Sequence, residues 1–598
     1  MSNYTSKKIS FNTAEQFKES FFEPEPATLG FIFLGNHVAW PDEGSPPTTL
    51  DTVSNEKSIW DNMYAGKRVT GSDVELVLPR INWTGNTKYR QFDDTTELST
   101  LTSNPTINTS ISIISAGATN KSNIGNAYIT FTGGGTGNTS ANAQLFVNAV
   151  SNVVESIVLN SPGLYESTPS ATVSGNANVT ISLTTQNLKP VYVVTSDRNV
   201  YLCLSNNVSA NSTVEPTNKN LTSNGNITTA DSYIWKYLYN IRASNKFLTD
   251  DWAPAPTSTS RLDFDTSSVI SVDGELAHIV VTNAGSGYIH STINVSAFAS
   301  GCSTLTIAGA NANTTNITAN MSISATGIAT GTYITSVDTV NTKIQLSSAT
   351  TTNGGGPGND PSISTRVYIS GDGIGGTATT TLSGNTIQKI TMTTNGKNYS
   401  NVSVSLFGTG SNATARAVLP PKFGHGFNSA KQLNASNVMI ATRIGEVDST
   451  ENGVISANTT FRQYGLLRDP YKYNTTVAAN TSTANAVFSQ TTDITLVAGT
   501  AYNLNEFVFQ GPSSNASTFG GFVNDQTSNT IKLTRVTGSL VNGAVLKGSL
   551  TNPSGRVVVT STNPEFQPYT GDIMYEDNIV SVQRTDGQAE SLKFVIQF

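Results

Sequence analysis

Three stretches of this chain, each more than a hundred residues from the next, are written to one plan. SIVLNSPGLYESTPSATVSG (Ser156 to Gly175), HIVVTNAGSGYIHSTINVSAF (His278 to Phe298) and KITMTTNGKNYSNVSVSLFGTG (Lys389 to Gly410) each run a β-branched strand into a glycine-containing turn, a tyrosine and a second alternating strand. The tyrosines are Tyr165, Tyr288 and Tyr399, at intervals of 123 and 111 residues, far longer than a solenoid period. The chain therefore carries copies of a small β unit rather than stacked coils. In each copy the glycine turns the chain, and the tyrosine caps the apolar face of a hairpin while its hydroxyl stays wet or hydrogen-bonded.

The rest of the composition agrees with strands. Charged residues are only 13% of the chain, about half the usual share, and Ser, Thr, Asn and Gly fill the gap. Threonine tolerates extended backbone, and Gly and Asn supply the left-handed conformations of tight turns. A mainly β protein follows. The net charge of −7 and pI near 5.3 argue against a nucleic-acid partner, because phosphate affinity needs clustered Lys and Arg. Cys203 and Cys302 are too few for a disulfide framework and too far apart for a zinc site. No apolar run approaches the roughly 18 residues that span a bilayer, and MSNYTSKKIS has no signal-peptide core. A reducing cytoplasm without membrane contact is the expected setting.

Along the chain, the spacing of Thr13-Ala-Glu-Gln16 with Phe17 and Phe21 predicts a helix over Thr13 to Phe22. LGFIFLG (Leu29 to Gly35) predicts a buried strand, Lys57 to Tyr64 a second helix, and Val74 to Leu78 another strand. VYVVTSDRNVYLCL (Val191 to Leu204) reads as two strands about a turn at Ser196 to Asn199, and DSYIWKYLYNI (Asp231 to Ile241) as a further strand. GHGFNSAKQLNASNVMIATRIG predicts a short helix and then a strand. Met321 to Ser347 reads as a β-meander, and Phe507 to Leu550 as a compact unit of five or six strands with glycine at most turns.

Catalytic vocabulary is sparse. GDGIGG (Gly371 to Gly376) satisfies G-x-G-x-x-G, but TATTTLSG follows where a dinucleotide site needs a helix, so a hairpin turn is the better reading. His37, His278, His290 and His425 fall in no metal or protease spacing. Only His425, between Gly424 and Gly426, has an unusual setting, and a structural turn explains it. Ser54-Asn-Glu-Lys57 has an acyl-enzyme spacing without the companion motifs, so helix entry is preferred. The acid pairs Asp93-Asp94, Asp250-Asp251 and Glu576-Asp577 read as solvated turns, since neighbouring acids in a strand face opposite ways and cannot flank one bond. No catalytic residue, cofactor site or metal site is assigned, and the chain is read as a non-enzyme.

What remains are stiff aromatic anchors: Ile59 to Trp83, Val200 to Leu204, Asp231 to Ile241 and Gly571 to Phe598. In that order they resemble the baseplate wedge subunit, protein eight, of T-even-type contractile-tailed bacteriophages. The resemblance rests on Trp60 and Met63, then Pro79, Arg80 and Trp83. It continues with Tyr201, Cys203 and Leu204, with Ser232, Tyr233, Trp235, Tyr237 and Leu238, and with Gly571, Tyr575, Asn578 and Phe598. It covers roughly residues 1–100, 188–260, 420–485 and 565–598. The segments between resemble the small β modules that cyanophage-like relatives insert into virion proteins.

The resemblance implies a layered β-sandwich core with a few short helices and several inserted all-β modules. The core would comprise 1–100 (α+β), 188–260, 420–485 and the C-terminal strands of 566–598. The inserts would be 101–187 with one tyrosine hairpin, 261–419 with two, and 486–565. It also implies a structural virion protein of the tail baseplate, assembled in the host cytoplasm, present as a homodimer or paired copies and contacting other wedge proteins. Paired Phe594, Val595, Ile596 and Phe598 then predict a last strand locked into a core or a partner sheet. The alternative is a receptor- or glycan-binding tail protein acting through the β inserts and their tyrosines.

Overall fold

The computed structural model describes residues 7–22, 29–94, 105–107, 112–116, 128–132, 142–147, 154–161, 170–173, 179–182, 185–187, 191–208, 210–219, 226–258, 264–265, 271–309, 314–444, 459–479, 487–584 and 589–598. The protein is mainly β, with multiple antiparallel sheets, a closed six-stranded barrel and three α-helices among the described residues. It forms two compact units, Met1–Leu78 with Ala435–Phe598, and Pro79–Asn434.

The first unit is a sandwich. One sheet runs in the order Val487–Ser489, Met63–Val69, Gly30–Gly35, Thr460–Arg468, Asp572–Gln583; in the other, Val74–Pro79, Asn437–Ile444 and Glu590–Gln597 lie side by side. Gly30–Gly35 is buried at every position, as its unbroken apolar run requires of a central strand. Leu34, Tyr64 and Phe461 of one sheet meet Ile444 and Leu592 of the other in a shared core. The Glu590–Gln597 strand pairs with Asn437–Ile444 through eight residues, Tyr575 stacks on Phe594 at 5.3 Å, and the Phe598 ring sits 5.2 Å from Phe17.

The first two predicted helices are displaced from their sequence positions, while the short third one lies at Ser429–Gln432 as expected. The first is Lys7–Ser20, and Thr13 lies inside it, its hydroxyl donating to the Ile9 carbonyl instead of capping. The second is Val53–Asn62: the Thr52 hydroxyl accepts from Asn55 N–H at the N-cap. Met63 and Tyr64 already belong to the next strand, held by its register with Gly30–Gly35. The compact unit read at Phe507 to Leu550 is the middle of the barrel, which Thr492–Leu496 and Arg556–Thr562 close by pairing with each other.

In the second unit an antiparallel sheet runs Tyr192–Val194, Asn199–Ser205, Ile234–Ile241, Asn226–Thr228. The tyrosine repeats form a separate sheet in the order Ile374–Ser383, Thr386–Lys397, His278–Ser286, Ser411–Val418, beside a two-stranded ribbon of Arg366–Gly371 and Val402–Phe407. Ile279 pairs directly with Ile390, the same position of the two copies. Ile279 also faces Ala417 while Ile390 faces Thr380, so a pseudo-two-fold axis passes between the isoleucines. The second strand of the His278 copy is therefore Arg366–Gly371, not the Ile289 to Phe298 stretch. There the chain departs into an insert with its own core, built on Leu305, Met321, Ile334, Ile344 and Ile363.

The same plan occurs a second time. Ser112–Ala116 pairs with Val179–Ser182, Asn142–Val147 with Val154–Ser161, and Tyr128–Thr132 with Ser170–Val173. These are the partnerships that His278–Ser286, Ile374–Ser383 and Arg366–Gly371 make with the strands of the Lys389 copy. Tyr165 lies outside the described residues.

Candidate functional sites

Of the anchor residues, Trp60, Met63, Tyr201, Cys203, Leu204, Tyr233, Trp235, Tyr237 and Leu238 are buried, Pro79, Arg80, Trp83, Tyr575, Asn578 and Phe598 are half-buried, and Ser232 and Gly571 are exposed. In the first unit Trp60 and Met63 join Phe31, Phe488 and Phe566 in one cluster. Gly571 has φ +76°, and a Cβ there would lie 2.3 Å from the Arg468 carbonyl oxygen. Asn578 Nδ2 donates to the Pro47 carbonyl at 2.9 Å, and its Oδ1 accepts from Gln463. In the second unit Tyr201, Cys203, Tyr233, Trp235 and Tyr237 pack with Tyr89 in a buried aromatic cluster against Trp83. Leu204 is buried beside them in sequence. Arg80 ties its segment down by donating to the Thr249 carbonyl at 2.9 Å, and the Pro79 carbonyl accepts from Tyr192 at 2.7 Å. Tyr575 lines a surface cleft with Asn55, Glu56 and Met574; the contacts of the others are those of a framework.

Tyr288 and Tyr399 are 3% and 5% exposed and share one core. Two glycines make room for them: a Cβ on Gly410 would fall 2.4 Å from the Tyr288 ring, and one on Gly373 would fall 2.3 Å from that of Tyr399. The Tyr399 hydroxyl accepts from the Gly376 N–H at 3.1 Å. A sugar cannot stack on either ring without opening the sheet. Asp372 and Gly373 link the strands Arg366–Gly371 and Ile374–Ser383, which pair with Val402–Phe407 and Thr386–Lys397 instead of forming the expected hairpin with each other, and the second strand occupies the place of a dinucleotide helix.

A cleft of about 700 Å³ opens on the outer face of the repeat sheet, lined by Arg90, Asp93, Asn226, His278, Lys389 and Asn395 among others. Here the reading of Asp93-Asp94 as a solvated turn is corrected, as is that of Glu576-Asp577, which lies inside the strand Asp572–Gln583. Asp93 and Asp94 both grip Arg416, with Asp93 at 2.8 Å, because their segment is not a strand and both carboxylates can turn to one guanidinium. His278 is buried beside this triad, and desolvation lowers its pKa to about 4 despite the two carboxylates. His425 is fully enclosed; its Nδ1 is 2.8 Å from Gln432 Nε2, its ring stands edge-on to Phe92, and burial holds its pKa well below 6.5. Gly424 and Gly426 flank it at φ +89° and +83°, so it is a packed turn. Behind the cleft Lys236 and Glu275 form a buried ion pair at 2.7 Å, which sequence reasoning missed because the partners are 39 residues apart.

No protein-family model matches the chain, and no curated protein is detectably similar to it. Among the described residues no group of three or more His, Cys, Asp or Glu could hold a metal ion, and no helix is long and apolar enough to cross a membrane.

Proposed function

We propose that this chain is a structural subunit of a contractile-tail baseplate wedge, binding other wedge proteins and a second copy of itself and taking part in the rearrangement that accompanies infection. The observation that carries the proposal is the use to which the ordered anchors are put. Most anchors from Trp60 to Phe598 pack into a β core or tie a segment to it, and neighbouring polar groups are spent on structure: Asp93 and Asp94 on Arg416, and His425 on Gln432. That suits a part that works by shape rather than by turnover. The reading through glycan contact is weakened at two of its carriers, since Tyr288 and Tyr399 face inward. Mass spectrometry and cryo-electron microscopy of purified virions test the proposal. Stoichiometric copies in the tail baseplate are expected, and a virion without them refutes it.

A further inference from the structure

A buried lysine–carboxylate pair stands beside the repeat sheet, with an asparagine opposite the lysine on the neighbouring strand. Lys236, on the strand Ile234–Ile241, has a side chain 0% exposed, and its Nζ lies 2.7 Å from Oε1 of Glu275, whose side chain is 1% exposed. Directly opposite Lys236 in the antiparallel register stands Asn226, so the two side chains leave the same face of the sheet with Cβ atoms about 5 Å apart. The amide of Asn226 donates to Asn395 Oδ1 at 3.3 Å, and the Asn395 amide donates to the carbonyl of Leu276, next to Glu275. The three groups are thus held on one small patch of framework. Isolating a lysine–carboxylate pair from water is costly, and replacing such a pair by neutral groups often stabilises a protein.

We propose that Lys236 and Asn226 join through an intramolecular amide bond, with Glu275 carrying the protons. Nζ first gives a proton to Glu275, and its lone pair then attacks Cγ of Asn226. Glu275 delivers that proton to Nδ2, the Cγ–Nδ2 bond breaks, and ammonia leaves. Glu275 takes the second proton from Nζ and ends as the neutral acid. Lys–NH3+, the side-chain amide and a carboxylate become a secondary amide, ammonia and a carboxylic acid, so atoms and charge balance and no oxidant is needed. Burial lowers the Lys236 pKa, which brings the neutral amine within reach. Asn226 lines the 700 Å³ cleft, and ammonia has its exit there. The product clamps Asn226–Thr228 to Ile234–Ile241 covalently and removes the two buried charges.

The test is mass spectrometry of the purified full-length chain. An intact mass lower by one ammonia than the sequence requires is expected, and trypsin should fail to cut after Lys236. A single peptide from Asn220 to Arg242 should then appear, lighter by one ammonia. Glu275→Gln and, independently, Asn226→Ala should each restore the full mass and the cut at Lys236; the second variant keeps the ion pair and guards against a folding defect in the first. A full mass with cleavage after Lys236 in the unmutated chain overturns the proposal. So does a bond from Lys236 to Asn395. An ammonia loss that survives both substitutions also overturns it, by assigning the loss to a succinimide at Asn224-Gly225.

Discussion

Replacing Tyr399 or Tyr288 by alanine should loosen both halves of the repeat module at once. An aromatic side chain of this size buries at least about 150 Å², worth about 4 kcal/mol at about 25 cal/mol per Å². Allowing for surface already hidden in the denatured chain lowers this to about 3 kcal/mol, within the range of about 3 to 5 found for removing large aromatic side chains from cores. Both rings share one core, and the axis between Ile279 and Ile390 makes them equivalent, so the two variants should agree within about 1 kcal/mol. A chain of two compact units does not melt in one step, and a global midpoint would blur the effect. Native-state hydrogen exchange reads it locally: amide protection in His278–Ser286 and Thr386–Lys397 should fall by about two powers of ten in either variant. Unchanged protection, or a loss confined to the half that carries the substitution, would refute the shared core. Tyr399→Phe should cost about 1 kcal/mol, the bond from the Gly376 N–H.

Three further outcomes follow. Desolvation depresses the pKa of His278 to about 4, so the unfolded chain binds a proton before the folded one does. The His278 share of stability is then fully present above about pH 6.5 and is lost as pH falls toward about 4, by up to about 3 kcal/mol; urea titrations between pH 7 and 4 should show a slope that His278→Gln makes shallower, the buried His37 and His425 supplying what remains. Gly571→Ala must force a residue with φ +76° and a 2.3 Å approach to the Arg468 carbonyl, and a loss of about 2 kcal/mol or more is expected in thermal unfolding. Arg416→Ala should cost only about 1 kcal/mol, because the guanidinium is one-third exposed. A double-mutant cycle with Asp93→Ala should recover most of that energy as coupling.

Much of this architecture was legible because its signals are local. An unbroken apolar run marked the strand Gly30–Gly35, β-branched and aromatic runs marked Asn199–Ser205 and Ile234–Ile241, and the Gly-Tyr signature exposed the duplicated unit. What escaped reading depends on remote partners. The strand after Tyr288 was placed at the next alternating stretch, and nothing local marks Arg366–Gly371 as its true successor 78 residues on. The sequence between Ala116 and Tyr128 holds no tyrosine, so the half-copy starting at Ser112–Ala116 shows itself through its pairing with Val179–Ser182. Asp93 and Asp94 gave no hint of Arg416, which lies 322 residues beyond Asp94. Lys236 and Glu275 likewise sit in unremarkable stretches, and burial alone makes them chemically notable.

The excursion between Tyr288 and Thr365 leaves and re-enters through neighbouring strands, since Ser291 pairs with Ile363 and Thr292 with Ser362. On the return side the Arg366 guanidinium lies 3.6 Å from the centre of the Tyr333 ring. The host hairpin thus behaves as a socket: its two contacts are adjacent, so cargo of any length can be plugged in without disturbing the frame behind it. A protein engineer could graft an epitope or an enzyme there on the same terms.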